Sequence, residues 1–247
     1  MIQIFNTILV EPLLNLLVFF YNTIAFGDLG LAIIFLTIFV RLIIYPLSAS
    51  QIKNQKSLTM LQEKVKEIKK QHQGNKEAQA KAMMDLYRVN KVNPFSSCFS
   101  FLIQFPILIA VYQVFRSGIL TENLSLYSFI INPGRLNTLA FGFLDLSVRS
   151  LPLAILTGVV QFLQTKMLSQ KKVPRQVEKD PGAKDESMMA VMNKNMLIIF
   201  PVVTVFIGMS LPAGLVFYWF ISTSLMVIQQ LIIFKKDKKK ELPTLKT

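Results

Sequence analysis

A single arginine lies inside an apolar stretch of this chain. Arg41 follows the apolar residues 33–40 and precedes residues 42–47, which are almost as apolar. A charged side chain at the centre of a bilayer costs about 2.5–3.5 kcal/mol on insertion scales, and such residues usually serve a function. A helix that ends at Leu47 would put Arg41 about 9 Å from its end, at about 1.5 Å per residue. Snorkelling of the side chain toward the surface is therefore the structural alternative to a functional role.

The apolar segments offer Arg41 no carboxylate partner. Glu11, Asp28, Glu122 and Asp145 lie outside these segments, and the other acids lie in basic loops or in the tail. Neutral polar residues recur instead at helical spacing along four segments. They are Thr37, Arg41, Tyr45 and Ser48; Gln104 and Gln113; Thr157, Gln161, Gln164 and Thr165; and Ser222, Thr223, Gln229 and Gln230. Such stripes often form only interhelical hydrogen bonds. Combined with an unpaired arginine, they predict a hydrated cationic cavity between helices.

The composition is that of a basic membrane protein. The 247 residues are 52% hydrophobic and 17% charged, with a net charge of +13. A soluble domain would be about 25% charged. Positive charge on so apolar a chain indicates cationic loops of a membrane protein rather than DNA binding.

Catalytic and metal-binding motifs are missing from the sequence. One cysteine, Cys98, and one histidine, His72, exclude a disulfide framework and a multi-histidine metal site. The sequence has no His-Glu-x-x-His motif, paired catalytic aspartates or glycine-rich phosphate loop. We therefore expect no enzyme, no catalytic residue and no cofactor, and we interpret Cys98 as a packing residue.

The predicted fold is an all-α membrane protein with five transmembrane helices. Lengths near 20 apolar residues define the spans, and internal proline is tolerated within a bundle. The spans are residues 29–47, 95–116, 151–168 and the two helices of a hairpin at 196–234, which a tight turn at 211–214 joins. Between them lie a helical hairpin at 48–94, a loop at 117–150 and a loop at 169–195, and a basic tail at 235–247 ends the chain.

Loop charges predict the orientation. Ten Lys or Arg lie in residues 48–93, five in 169–193 and six in the tail, against Arg116, Arg135 and Arg149 on the other side. Five spans place every basic loop on one face, which the positive-inside rule makes cytoplasmic. We expect a multi-pass cell membrane protein with its N-terminus outside and its C-terminus inside. An organelle inner membrane is the second choice.

The first 28 residues contain no Lys or Arg and no signal-peptide pattern. Glu11, Pro12 and Asn15 interrupt their apolar run, which leaves it too short to span a bilayer. We interpret residues 1–28 as an extracytoplasmic amphipathic helix lying at the interface. A sixth span or an uncleaved signal anchor is the alternative.

The large polar loop has helical periodicity. Leu58, Leu61, Val65 and Ile68 form a narrow apolar seam, residues 73–75 break it, and a second helix follows. The lysine faces are either solvated surface or a docking surface for lipid head groups or ribosomal RNA.

Several motifs occur in one order along the chain. They are Val40-Arg-Leu-Ile-Ile-Tyr-Pro-Leu47, Lys91-Val-Asn-Pro-Phe95, Ser97-Cys-Phe99, Ile103-Gln-Phe-Pro-Ile107, Phe162-Leu-Gln164, Leu211-Pro-Ala-Gly-Leu-Val-Phe-Tyr-Trp219 and Ile228-Gln-Gln230. Each is weak alone, but the ordered set resembles YidC-type membrane protein insertases, a family that includes the mitochondrial and chloroplast oxidase-assembly insertases.

The resemblance implies a function. Such proteins take hydrophilic segments of nascent membrane proteins into a cationic hydrated groove and release apolar segments into the lipid bilayer. It implies that Arg41 is the groove arginine, with Gln164 and Trp219 near it. From the polar stripes, we expect Thr37, Gln104 and Gln161 to line the same groove. From the residues alone, Gln164 would be an interhelical hydrogen bonder and Trp219 an interfacial anchor.

The resemblance also bears on partners. It suggests the ribosome and the Sec translocon as partners, although the basic tail is short and the large extracytoplasmic domain of long relatives is missing. A small-solute or ion transporter would also place a charge in a polar cavity. A purely structural assembly factor is a third reading.

Overall fold

The computed structural model describes residues 2–93, 104–115, 126–168 and 198–241, and these residues are mostly helical. The N-terminal helix α1 has three consecutive parts, Ile2–Phe5, the π-helical turn Asn6–Val10, and Glu11–Thr23. The other elements are α2 Leu29–Ile43, α3 Tyr45–Met60, α4 Gln62–Gln71, α5 Lys76–Val89, α6 Gln104–Phe115, strands β1 Leu139–Ala140 and β2 Leu144–Asp145, α7 Leu151–Leu168, α8 Ile198–Ser210 and α9 Ala213–Glu241.

Helix α1 is longer than its uninterrupted apolar run. Gln3–Thr23 forms 21 helical residues with a mean hydropathy of 1.7, which is enough to cross a membrane. Pro12 needs no backbone donor at the start of a helical part, and Asn15 turns its amide back to the Glu11 carbonyl at 2.8 Å. The expectation that this segment is too short to span was therefore wrong, because these residues do not end the helix.

Among the described residues, two helices are each long and apolar enough to cross a membrane: Gln3–Thr23 and Ala213–Lys235. A bent pair, α2 with α3, would count as a third crossing, and α6 and α8 are shorter apolar helices. The expected first span, 29–47, is divided by the break within this pair.

The break between α2 and α3 is a bend of 68° at Ile44. Pro46 causes it, since proline cannot donate to the carbonyl one turn earlier and its ring clashes there. Helix α3 then begins at Tyr45 and continues as far as Met60, well into the segment expected to be the first hairpin helix.

Helices α4 and α5 pack against each other and form a hairpin. Gly74 adopts a φ of +87° in the turn, which a residue without Cβ does readily. Asn75 then caps α5 by accepting a hydrogen bond from the Ala78 amide at 3.0 Å. The break expected at residues 73–75 lies at this turn.

Helices α7, α8 and α9 pack closely because small residues lie where they cross. A Cβ on Gly158 would meet Val205 at 2.4 Å, and one on Gly208 would meet Ala154 at 3.1 Å. Position 158 lies against 205 and position 154 against 208, so α7 and α8 run antiparallel. Helix α9 packs along both α7 and α2.

One end of the bundle is covered by the chain segment before α7. Residues Ala140, Phe141, Gly142 and Phe143 turn between β1 and β2, with Phe141 and Gly142 at positive φ as a tight hairpin requires. Asp28 accepts from the Leu31 amide at 2.9 Å and from the Phe141 amide at 2.5 Å, so it caps α2 and holds the hairpin. We call this end, formed by the first turns of α2 and α9 and the β-hairpin, the capped end.

The same segment also lies against α1. The Asn15 side chain accepts from the Tyr127 amide at 2.7 Å, and the Tyr21 hydroxyl accepts from the Asn137 amide at 3.0 Å. Two hydrogen bonds from Ser147, one from its hydroxyl and one from its amide, hold the pKa of Asp145 below its usual range. The described part of the expected loop 117–150 is therefore ordered and packs over α1 and the start of α2.

The hydrophobic core lies toward the capped end. Its largest fully buried members include Leu29, Ile33, Leu36, Leu215 and Tyr218. Most of the buried polar residues lie further along α2, α3 and α9: Thr37, Arg41, Ser48, Gln51, Ser222, Thr223, Gln229 and Gln230. Asn15, Thr157 and Thr204 are buried on α1, α7 and α8. The bundle thus has an apolar half at the capped end and a polar half at the other, which we call the cavity end.

Candidate functional site

Arg41 is held by neutral side chains from two other helices. Its Nε and Nη2 donate to the Ser222 hydroxyl on α9 at 2.9 and 2.6 Å. Its Nη2 also donates to Gln104 Oε1 on α6 at 3.4 Å. Only 9% of Arg41 is exposed. The side chain therefore points between helices rather than out of the bundle.

No carboxylate pairs with this guanidinium within the described segments, and none of its hydrogen bonds there uses Nη1. Hydrogen bonds to hydroxyl and amide oxygens orient a charge without cancelling it. The site consequently keeps a full positive charge in a poorly solvated position, which is strongly favourable for an arriving anion.

Tyr218 belongs to the same network, although the sequence did not single it out. Its hydroxyl interacts with Ser222 and with Gln104 while its ring is buried in the core. The available signal was the i, i+4 spacing from Tyr218 to Ser222, which puts both on one face of α9. An aromatic residue in an apolar run is more often read as core, which hid this signal.

A small cavity, with room for about one water molecule and partly open to the exterior, adjoins Arg41. Its lining combines polar and apolar side chains from α2, α3, α6 and α9: Arg41, Ile44, Leu47, Ser48, Gln51, Gln104 and Met226. Leu47 on its rim is exposed, as are the neighbouring Leu42 and Ile43. The cavity therefore joins a cationic wall to an apolar rim.

Gln161 and Gln164 lie on the far side of Met226 from Arg41. Gln161 donates to the Gln164 side chain at 3.0 Å, and the Gln164 amide contacts the Met226 sulfur. Because Met226 also lines the cavity, this contact links α7 to the Arg41 site. Neither glutamine is among the described hydrogen-bond partners of Arg41.

Thr37 and Trp219 stand apart from the network. Thr37 is fully buried one turn before Arg41 and returns its hydroxyl to the Ile33 carbonyl at 2.6 Å. Trp219 is half-buried and lies one turn before Ser222 and two turns before Met226, on the same face of α9. The Thr37 hydroxyl is therefore satisfied within its own helix, and Trp219 shares a helix face with the site.

The bend at Ile44 is joined to α9 next to the cavity. Gln229 donates to the Ser48 hydroxyl at 3.0 Å and to the Tyr45 carbonyl at 3.3 Å. Tyr45 and Ser48 both lie in the first turn of α3, so one glutamine connects the start of α3, just after the bend, to α9. The polar stripes expected in the first and fifth apolar segments meet here.

The donor set is suited to binding an anion. No group of three His, Cys, Asp or Glu side chains suitable for a metal ion occurs in the ranges that the structure describes. A guanidinium remains protonated and cannot act as a general base. The arrangement can attract and orient carboxylates, and its polar wall can hold water.

These features define a helical integral membrane protein with a cationic cavity on one side of an apolar core. Residues 19–241 match the family model described as the 60Kd inner membrane protein. The chain belongs to this family, that of the YidC-type membrane proteins.

Relatives with known names share this family. The chain is 33% identical over 211 residues to the membrane protein insertase YidC of Fusobacterium nucleatum subsp. nucleatum, covering 85% of this chain and 88% of that protein. It is 31% identical to the YidC insertase of Pelobacter propionicus over 93% of this chain and 39% of that one. It is 33% identical to the YidC insertase of Psychromonas ingrahamii, over 94% of this chain and 36% of that one. The chain thus spans little more than a third of these longer relatives.

A solved structure has the same fold. The crystal structure of an active YidC insertase with its first transmembrane domain resolved matches with a TM-score of 0.55 and 26% identity. The match covers 88% of this chain and 45% of that one. The resemblance to the YidC-type family that the ordered motifs indicated is thereby confirmed.

Proposed function

We propose that this chain is a membrane protein insertase. In this proposal it takes a hydrophilic segment of a nascent membrane protein into the Arg41 cavity and releases the neighbouring apolar segment into the bilayer. The relatives named YidC insertase support the function. The observation that carries the mechanism is a buried guanidinium whose contacts in the described segments are all neutral.

The topology follows from charge and helix direction. Helices α2, α6, α7, α8 and α9 would be the five spans, with the capped end outside and the cavity end facing the cytoplasm. The hairpin α4–α5 and the basic tail would then be cytoplasmic, in agreement with the excess of Lys and Arg there. Helix α1 would lie at the outer interface, with a sixth span as the alternative that its length permits.

The mechanism needs no bound cofactor. Acidic residues of the entering segment would approach Arg41 in a low-dielectric site, where a charge pair is stronger than in water. The apolar rim at Leu47 lies beside the cavity, so an apolar segment could pass into lipid while its polar neighbour remains hydrated. Burial of apolar surface supplies about 25 cal/mol per Å² for this transfer.

Partners follow from the same proposal. Nascent membrane proteins and the lipid bilayer are the substrates and the solvent of the reaction. The ribosome is proposed to approach the cationic α4–α5 hairpin, and the Sec translocon is proposed to supply some substrates.

The test is insertion by purified protein in proteoliposomes. Arg41→Ala should lower the yield of a small substrate with an acidic translocated tail by about tenfold, on the scale of one lost charge-assisted contact. Arg135→Ala, which removes a charge at the capped end, is the matched control and should leave the yield unchanged. An unchanged yield for Arg41→Ala would contradict the groove mechanism.

A transport assay separates the second reading. Solute uptake by the same proteoliposomes, without substrate protein and abolished by Arg41→Ala, would favour a transporter. We expect no such uptake.

A further inference from the structure

We infer that Ser222 is the positioning residue of the site: its hydroxyl fixes the Arg41 guanidinium in the cavity wall and leaves its charge available. The inference rests on the proposed insertase function and identifies the side chain on which selectivity for acidic segments depends.

The geometry gives Ser222 this role. Two nitrogens on one edge of the guanidinium converge on a single oxygen, at 2.9 and 2.6 Å. This pair of contacts fixes both the position and the plane of the group, since two donors of a rigid fork share one acceptor. Ser222 is 1% exposed, so bulk water does not compete for the hydroxyl.

The other contacts cannot replace it. Gln104 accepts from the same guanidinium at 3.4 Å, which is a long hydrogen bond. The Tyr218 hydroxyl lies near both acceptors and near Arg41, but none of the hydrogen bonds of the guanidinium to the described residues goes to it. The short side chain of Ser222 is also fixed close to the α9 backbone, which makes it a rigid anchor.

The neutrality of the anchor matters for function. A carboxylate in the place of Ser222 would orient Arg41 equally well but would cancel its charge, leaving little attraction for an acidic segment. A hydroxyl orients without neutralising. The site thus separates orientation, which Ser222 supplies, from charge, which Arg41 supplies.

The alternative position of Arg41 is close by. Arg41 lies two residues before the end of α2 at Ile43, and a long arginine side chain readily turns toward a polar surface. Without its acceptor, we expect the guanidinium to turn toward the cavity end and its head groups. The cavity would then lose its charge although the residue is still present.

The experiment compares Ser222→Ala with Ser224→Ala in the proteoliposome insertion assay. Ser224 lies on the same helix, half-buried, and returns its hydroxyl to the Phe220 carbonyl at 2.8 Å, so it is a matched control. Two substrates that differ only in acidic against neutral tail residues are used. Ser222→Ala should lower the yield of the acidic substrate roughly three- to tenfold and spare the neutral one, while Ser224→Ala spares both.

A double variant tests whether Ser222 acts through Arg41. Arg41→Ala and Arg41→Ala with Ser222→Ala should give equal yields, because a positioning residue has nothing left to position. Ser222→Thr, which keeps the hydroxyl, should restore selectivity. If Ser222→Ala is not recovered folded, Ser222→Cys keeps the volume with a weaker acceptor and should give the same selective loss.

The outcomes separate the two proposals. Equal losses for acidic and neutral substrates with Ser222→Ala would assign it a packing role and overturn the inference. Selective loss with Arg41→Ala but not with Ser222→Ala would also overturn it, while the groove mechanism would stand. No loss with Arg41→Ala would contradict the groove mechanism itself.

Discussion

Asp28 and Gly30 show how single residues close one end of the molecule. One Asp28 oxygen caps α2, and the other accepts the Phe141 amide of the β-hairpin. Gly30, in the first turn of α2, lies under the same hairpin. A Cβ there would come within 2.7 Å of the Ala140 Cβ and 2.8 Å of the Phe141 ring. The hairpin can therefore approach α2 closely only because residue 30 has no side chain.

Gly30→Ala should consequently destabilise the protein. On an open helix position this change stabilises by up to about 1 kcal/mol, but the contacts with Ala140 and Phe141 should reverse the sign, to a loss of about 1–3 kcal/mol. Thermal unfolding in detergent measures the effect. Phe143→Ala at the exposed hairpin tip is the control and should change the midpoint little. A higher midpoint for Gly30→Ala would show that the hairpin yields at no cost.

Part of the candidate site could be predicted at this scale. Arg41 was identifiable because a charge in an apolar run is costly, and Gln104 and Ser222 because polar residues recur at helical spacing. The spacing could not say which of these residues touch Arg41. Tyr218 was missed because its ring fits the core and only its hydroxyl is polar. The roles of all these residues in insertion stay predictions.

Among the elements, the bent pair α2–α3 sets the shape of the cavity. The bend lies three residues after Arg41, and the first two turns of α3 supply Leu47, Ser48 and Gln51 to the lining. Gln229 holds both Tyr45 and Ser48 from α9. We expect these hydrogen bonds, together with Pro46, to fix the direction in which α3 leaves the bundle.

Gln229→Leu should make the angle between α3 and α9 less well defined. It removes the three hydrogen bonds to Ser48 and Tyr45 while preserving buried volume, so the angle between α3 and α9 should become more variable. Spin labels at Met60 and Ile232, both exposed, in a Cys98→Ala background report the distance between the helices. A broader distance distribution is expected for Gln229→Leu and an unchanged one for the exposed neighbour Ile228→Ala. Identical distributions for both variants would mean that Pro46 alone sets the bend.

The elements were predicted with unequal success for physical reasons. The hairpin turn at Gly74 had a strong local signal, and α4 and α5 lie on either side of it. The bend at Ile44 was missed although Pro46 signals it, because apolar length dominated the reading of residues 29–47. Strands β1 and β2, of two residues each, are too short to show a periodicity; they pair with each other, and β1 also packs against α2.

For the whole molecule, the polar and apolar halves are the main finding. The family membership and the helical fold agree with the sequence-based expectation. The number of spans and the orientation remain proposals, since α1 is long enough to cross a membrane and α6 and α8 are short.

Labelling of single cysteines with an impermeant maleimide in intact cells tests this orientation. A cysteine at Phe143, at the capped end, should be labelled from outside, and one at Met84 in α5 only after the cells are opened. Both positions are exposed. The reverse pattern would contradict the proposed topology. A cysteine at Ile4 decides the position of α1, because labelling from outside is expected for an interfacial helix and not for a sixth span.

The apolar half at the capped end has an electrical consequence. Arg41 lies twelve residues from the start of α2, so about 18 Å of helix separates it from that end, against a hydrocarbon thickness of about 30 Å. If water enters only from the cavity end, the membrane voltage falls across this thinner layer while ions remain blocked. A negative charge bound at Arg41 would then stand at the edge of a concentrated field, worth up to about 2.3 kcal/mol per charge for each 100 mV crossed. With the cytoplasm negative, that field pushes acidic tails outward.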